Sequence, residues 1–201
     1  GVIHDGMTLA GRVFKRGFDV SVSGVLLLVF SPLAAACALA VKMEDGCPIL
    51  YRQERIGLGG RTFSILKFRS MRTDAERGGA RLYSGEDDPR LTRVGAFLRR
   101  HHLDELPQLW NVFRGDMSFI GPRPLMVKYL PLYSPEQARR HEVRPGISGW
   151  AQVNGRNTIT FTKQFEYDVY YVDHLTLWLD VKIFFMTILK VFKREGISEE
   201  G

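Results

Sequence analysis

Cysteine is scarce in this chain: Cys37 and Cys47 are the two among 201 residues. Cys37 lies inside an apolar run, so a disulfide framework is not expected and reducing surroundings fit better. No His/Cys group has the spacing of a zinc site. His101-His102 is an adjacent pair that cannot share one helix face, and it reads as surface or local packing. Internal repeats and low-complexity tracts are missing. So is a nucleotide-type GxGxxG, because Gly57-Leu-Gly-Gly60 has turn spacing only. Charge is missing from Val20 to Val41, a run of 22 residues. What charge there is leans basic, with 28 Lys/Arg against 22 Asp/Glu. Residues 51–100 hold 12 basic and 6 acidic side chains, so the excess sits in that quarter of the chain. A basic patch close to an apolar run suits anionic headgroups or phosphate-bearing ligands, and a merely solvated basic face is the plainer alternative. The length fits one domain, with an appended segment as an option.

The uncharged run is long enough to cross a bilayer as a helix, which takes about 20 apolar residues. Ser31-Pro32 sits at its middle, where proline removes a backbone bond and bends a helix. Arg12, Lys15 and Arg16 flank one end, and Lys42, Arg52 and Arg55 the other. Positive charge favours the cytoplasmic side, so both ends are expected on that side. A helix over residues 12–42 that enters, breaks at Ser31-Pro32 and exits on the same face satisfies both observations. The Ser31 hydroxyl is a candidate partner for backbone groups freed at the break. A kinked full span and a buried core helix remain as alternatives.

Residues 43–196 read as a catalytic domain on the cytosolic side. Ile49–Gln53 and Thr62–Phe68 lean to strand, and the glycines between them predict a hairpin. Residues 73–90 read as a polar loop, and Leu91–His101 as a short basic helix. A further short helix after Pro135 carries Arg139 and Arg140, and residues 143–157 form a loop rich in Gly, Asn and Arg. Leu175–Phe192 is amphipathic: Asp180, Lys182, Thr187 and Lys190 share one arc, while Val181, Phe184, Phe185 and Phe192 share the other. The apolar arc suits the membrane interface and core packing equally well. The fold class expected is α+β, mostly helical and monotopic, with a small β-hairpin and amphipathic interfacial helices.

The stretch from His102 to Pro124 carries the chemistry. Asp104-Glu105 opens a helix in which Pro107 is tolerated and which Gly115 ends. Leu106, Leu109, Trp110 and Phe113 form its expected apolar face. Two neighbouring carboxylates repel, and a divalent cation is one way of keeping both ionised. Magnesium takes one or two carboxylates together with substrate phosphates. A free carboxylate can attack phosphorus, and the phosphoryl charge then needs cations. Arg123, between Pro122 and Pro124, is stiffly held and suited to bidentate phosphate contact. Capping and compensation of the helix dipole explain an Asp-Glu pair without any catalysis.

Tyr51-Arg-Gln-Glu-Arg-Ile-Gly57, Lys67-Phe-Arg-Ser-Met-Arg72, Asp104-Glu-Leu-Pro-Gln-Leu-Trp-Asn111, Gly115-Asp-Met-Ser-Phe-Ile-Gly-Pro-Arg-Pro124 and Arg144-Pro-Gly-Ile-Ser-Gly-Trp-Ala-Gln-Val-Asn-Gly-Arg-Asn157 settle the weighing. Together with Lys15-Arg16, Asp19 and Ser31-Pro32, they resemble the bacterial sugar transferases. That family comprises monotopic polyprenol-phosphate phosphoglycosyl transferases. The resemblance covers residues 12–196. It implies transfer of a sugar-1-phosphate from a UDP-sugar to undecaprenyl phosphate, with UMP released, at the cytoplasmic face of the bacterial inner membrane. It implies that Asp104 is the nucleophile that becomes a phosphosugar adduct, that Glu105 holds Mg²⁺, and that Arg123 contacts phosphate. Arg99, Lys67, Arg69, Gln152, Asn154, Arg156 and Asp168 fall in matching motifs and are expected on the substrate side. Membrane lipid is an expected partner and nucleic acid is not. Larger relatives carry a multi-span membrane domain before the catalytic part, so the chain is expected in the minimal class. The run Phe165–Tyr171 and the short tail point to an N-acetylated amino sugar, such as UDP-diacetylbacillosamine or a UDP-N-acetylhexosamine. The rivals are a polytopic transferase without a covalent intermediate and a membrane-anchored polyanion-binding module.

Overall fold

The N-terminal helix is broken where the sequence puts the break. In the computed structural model, which describes residues 8–74, 88–155 and 160–199, helix α1 covers Leu9–Val29 and helix α2 covers Ser31–Asp45. The pair is bent by 61°. Pro32 stands in the first turn of α2, where its missing N–H costs nothing. Ser31 Oγ donates to the Leu28 carbonyl at 2.8 Å, occupying a group that the break leaves open. Among the described residues no single helix is long and apolar enough to cross a membrane, and the bent pair meets that test only together.

The chain divides into two compact units. The smaller holds Val22–Gln53 and Ser64–Asn111, and the larger holds Gly1–Ser21, Glu54–Phe63 and Val112–Gly201. In the smaller unit, Cys37 and Val41 on one face of α2 pack with Phe68 and Leu98, and Ala34 and Ala38 border the same cluster. Leu33, Leu39 and Met43 of α2 stay exposed. Strands β1 (Leu50–Ile56) and β2 (Thr62–Phe68) pair as the expected hairpin. Gly59 and Gly60 in its turn take φ of 67° and 78°, the region glycine enters without strain.

Helix α3 covers Arg93–Arg100. Thr92 caps it by accepting from Gly95 N at 2.8 Å. Glu44 accepts from the amides of Arg93 and Val94, each at 2.7 Å, setting a carboxylate against the positive helix end. A Cβ on Gly95 would stand 1.9 Å from the Ser70 carbonyl oxygen, so glycine allows α3 to lie against the end of β2. A 3₁₀ turn at Leu103–Glu105 then precedes helix α4, Gln108–Arg114. The carboxylate pair therefore stands in its own turn, ahead of the helix it was expected to open.

The expected apolar face of α4 is corrected. Leu109 is buried, but Trp110 and Phe113 are exposed, and Asn111 is only 1% exposed. Asn111 Oδ1 accepts from Leu66 N at 3.0 Å, and its Nδ2 donates to Ser64 O at 2.8 Å. The carboxamide thus occupies two backbone groups on the β2 edge, which an apolar side chain would leave unpaired.

The larger unit contains a parallel sheet, one strand of which lies within the stretch 143–157 expected as a loop. Strands β3 (Ser118–Ile120) and β4 (Gly146–Ser148) run parallel, with Ser118 opposite Gly146 and Ile120 opposite Ser148. Helices α5 (Trp150–Asn154), α6 (Phe161–Asp173) and α7 (Leu177–Glu199) follow. The core joins Ile120 and Val143 to Tyr171, Val172, Leu175, Leu179 and Ile183. Lys15 of α1 enters it, with Nζ 2.7 Å from Asp180 and 2.7 Å from the Tyr171 hydroxyl. Arg16 donates to the carbonyls of Val112 and Phe113, and Asp19 accepts from Ser118 Oγ at 2.6 Å. These charges beside the apolar run are internal pins.

Helix α7 buries Leu179 and Ile183 in this core, yet most of its remaining apolar side chains face away from it. Its polar arc faces the unit: Asp180 accepts from Tyr171 Oη, Thr187 shares a hydrogen bond with Ser148, and Lys190 donates to the carbonyls of Gln152 and Gly155. Its apolar arc faces out, with Trp178, Val181, Phe184, Phe185 and Phe192 all exposed.

Candidate active site

In the smaller unit, the 3₁₀ turn sets two adjacent carboxylates in opposite surroundings. Asp104 is buried at 8% exposure, while the Glu105 side chain is 44% exposed, with Oε1 3.7 Å from Lys67 Nζ. Burial raises the Asp104 carboxyl above its ordinary range, and the Glu105 charge adds to the rise. Lys67 and Arg99 pull it back. Arg99 is oriented by a bond from Nε to Ser70 Oγ at 2.7 Å. The unit therefore assembles Asp104, Glu105, Lys67 and Arg99 around one turn: a shielded carboxylate, an open one, and two cations that favour the ionised pair.

Arg69 is different. It is buried and donates to Pro48 O, Asp45 Oδ2, Met71 O, Asp45 O and Gly46 O at 2.6 to 3.0 Å. A guanidinium has five N–H donors, so none is left for a substrate oxygen. Arg69 ties the end of α2 to the strand, which corrects the expectation that it binds substrate.

In the larger unit, Arg123 is exposed while Gly121, Pro122, Pro124 and Leu125 around it are buried. It lines a cleft of about 610 Å³. The cleft wall also carries Arg55, Lys190, Gln152, Tyr129 and Phe161, and no carboxylate is among its lining residues. Gln152 Oε1 is buried without a hydrogen-bond partner. Asn154 turns back to cap its own helix, donating to Trp150 O at 2.8 Å. Asp168 is 1% exposed and paired with Arg140 at 2.9 Å. Burial pushes its carboxyl up to about 6 against the pull of that arginine. Asp168 thus belongs to the interior, and so do Phe165 and Tyr171. The run read as a pointer to the sugar packs inward at those three residues. Arg156 and residues 75–87 of the expected polar loop lie outside the described residues. Arg55, Lys190 and Arg140 were missed as functional candidates; Arg55 stands in the Tyr51–Gly57 motif, and only basic character could have drawn attention to the other two.

Residues 10–194 match the family described as bacterial sugar transferase. The uncharacterized sugar transferase EpsL of Bacillus subtilis (strain 168) is 46% identical over 187 residues, covering 93% of this chain and 91% of that protein. The UDP-N-acetylgalactosamine-undecaprenyl-phosphate N-acetylgalactosaminephosphotransferase of Aeromonas hydrophila is 43% identical over 188 residues, covering 90% of this chain and 44% of that protein. The UDP-glucose:undecaprenyl-phosphate glucose-1-phosphate transferase of Escherichia coli (strain K12) is 41% identical, with coverages of 90% and 40%. The chain thus spans nearly all of EpsL and less than half of the two relatives whose names state a reaction. With the match running almost end to end and the quoted motifs inside it, the chain belongs to the bacterial sugar transferase family.

Proposed function

We propose that this protein transfers a sugar-1-phosphate from a UDP-sugar to undecaprenyl phosphate and releases UMP. The observation that carries the reading is the split pair: a shielded Asp104 and an open Glu105 beside Lys67 and Arg99. An Asp104 oxygen attacks the phosphorus that bears the sugar. The bond from that phosphorus to the bridging oxygen of UMP breaks, and UMP leaves. An oxygen of undecaprenyl phosphate then attacks the same phosphorus, which frees the Asp104 carboxylate and leaves the sugar on a lipid diphosphate. Within the larger unit, Arg123 is exposed on a strap whose neighbours are buried, which suits it to contact a substrate phosphate.

Glu105 is the expected magnesium holder. Among the described residues no group of three or more His, Cys, Asp or Glu could hold a metal alone. An open carboxylate that shares the ion with substrate phosphates fits magnesium, which keeps few protein ligands. When bound, the ion would neutralise charge on the diphosphate.

The outward apolar arc of α7 and the exposed apolar residues of α1 and α2 support residence at a lipid surface. We place the protein at the cytoplasmic face of the bacterial inner membrane, with residues 12–42 re-entrant, and the sugar among N-acetylated amino sugars. The relatives' names include both an N-acetylated and a plain hexose, so a panel of UDP-sugars scored for UMP release is the discriminating assay. Turnover with Mg²⁺ and loss of UMP release in Asp104→Asn are expected, along with a protein mass increased by one phosphosugar when lipid acceptor is withheld. Normal turnover by Asp104→Asn would remove the nucleophile assignment.

A further inference from the structure

We propose that Arg140, anchored by Asp168, is the positioning residue that fixes Arg123 for its contact with substrate phosphate. The proposal rests on the phosphate role given to Arg123 above. Four consecutive carbonyls carry that arginine, and each is held by a different donor. Pro122 O accepts from Gly146 N at 2.9 Å, Arg123 O from Arg140 Nη2 at 2.6 Å, Pro124 O from Arg55 Nη1 at 3.1 Å, and Leu125 O from Ile56 N at 2.9 Å. Two of the donors are main-chain amides, placed with β4 and with the end of β1. The other two are guanidinium groups.

Arg55 lines the cleft with Arg123, so it can touch a ligand itself. Arg140 is 2% exposed and is not among the residues lining the cleft. Whatever it does for a ligand there, it does through the backbone of Arg123. Its fork is occupied on both sides: Nε and Nη2 face Asp168 Oδ2, each at 2.9 Å, and Nη2 also reaches the Arg123 carbonyl. The guanidinium also lies over the Phe165 ring at 5.4 Å. A buried ion pair is costly to form and is often replaceable by apolar residues without loss of stability. This one has a geometric output: it locks the peptide of the single exposed residue in a buried strap. A lysine would keep the charge opposite Asp168 but lacks the planar fork needed to hold carboxylate and carbonyl together.

The test is a double-mutant cycle on the membrane-embedded protein, using the UDP-sugar turned over in the panel. Arg140→Lys and, separately, Asp168→Asn are each made alone and with Arg123→Ala. Each single variant is expected to raise the KM for the UDP-sugar about tenfold, with a smaller change in kcat. In the Arg123→Ala background the same substitutions should change KM by less than about twofold. A purely structural role would instead lower kcat at unchanged KM, through loss of folded protein. If the effects multiply with that of Arg123→Ala, Arg140 acts independently and the positioning proposal is overturned. If Arg123→Ala alone has wild-type kinetics, it is the phosphate role of Arg123 that fails. If neither Arg140→Lys nor Asp168→Asn folds, as read by circular dichroism and melting, the pair serves the core alone and the proposal is overturned as well.

Discussion

At the scale of single residues, the pair Asp104-Glu105 differs by surroundings and not by chemistry. Burial holds the Asp104 carboxyl above the ordinary carboxylate range, and Lys67 opposes that rise. A nucleophilic carboxylate must be ionised, so activity is expected to fall as pH drops through this raised value. Lys67→Met removes one opposing charge and should move the acid limb of the kcat/KM profile to higher pH. An unmoved limb would mean that Lys67 is too well screened to matter. His141 supplies a second titration. Its ring is buried, its Nε2 has no hydrogen-bond partner, and burial, aided by Arg140, lowers its pKa from 6.5 to about 4. Between those values the unfolded chain binds a proton that the folded chain refuses. The stability linked to His141 is therefore full above pH 6.5 and is lost as pH falls through about 4. Asp168, raised by burial to about 6, works in the opposite sense. The informative quantity is the difference in unfolding free energy between wild type and His141→Gln. It should shrink by about 1.4 kcal/mol per pH unit on acidification from pH 6.5.

At the scale of elements, the legible parts were those with a local cause. Proline fixed the break between α1 and α2, and glycines with positive φ fixed the hairpin turn between β1 and β2. The parallel pair β3–β4 was not legible. Its strands have three residues each, too short for alternation to show, and their partners lie far apart in sequence. The inward role of Asn111 was not legible, because a polar residue on a helix is normally solvated, whereas here two backbone groups of β2 hold it inward. The same limit applied to the candidate site. Asp104, Glu105 and Arg123 stood out through neighbouring charges and flanking prolines. The roles of Arg69 and Asp168 depend on distant partners that no local pattern announces. The facing of α7 is an element-scale property with its own test. Phe184→Glu with Phe185→Glu should abolish flotation with phospholipid vesicles while leaving the circular dichroism spectrum unchanged, since both side chains point away from the core. Retained flotation would assign membrane attachment to α1 and α2 alone.

At the scale of the whole molecule, the proposed re-entrant topology has a direct test. With a 61° bend between α1 and α2, a single cysteine near position 12 and another near position 45 (sparing Asp45), in a background lacking Cys37 and Cys47, should both react with a membrane-impermeant label from the same side. Labelling from opposite sides would replace the re-entrant model by a kinked span.

The outward apolar arc of α7 also changes what substitution data should look like. In a water-soluble domain, hydropathy and tolerance run against each other: greasy positions resist replacement and polar ones accept it. Along α7, apart from the core residues Leu179 and Ile183, the order is reversed for folding. Asp180, Thr187 and Lys190 are joined to the rest of the unit, so even Asp180→Asn or Lys190→Gln should lower the yield of folded protein. Trp178 and Phe192, 77% and 65% exposed, should accept lysine without unfolding the chain. A saturation library sorted once for abundance and once for membrane recovery would therefore separate into two complementary stripes along one helix.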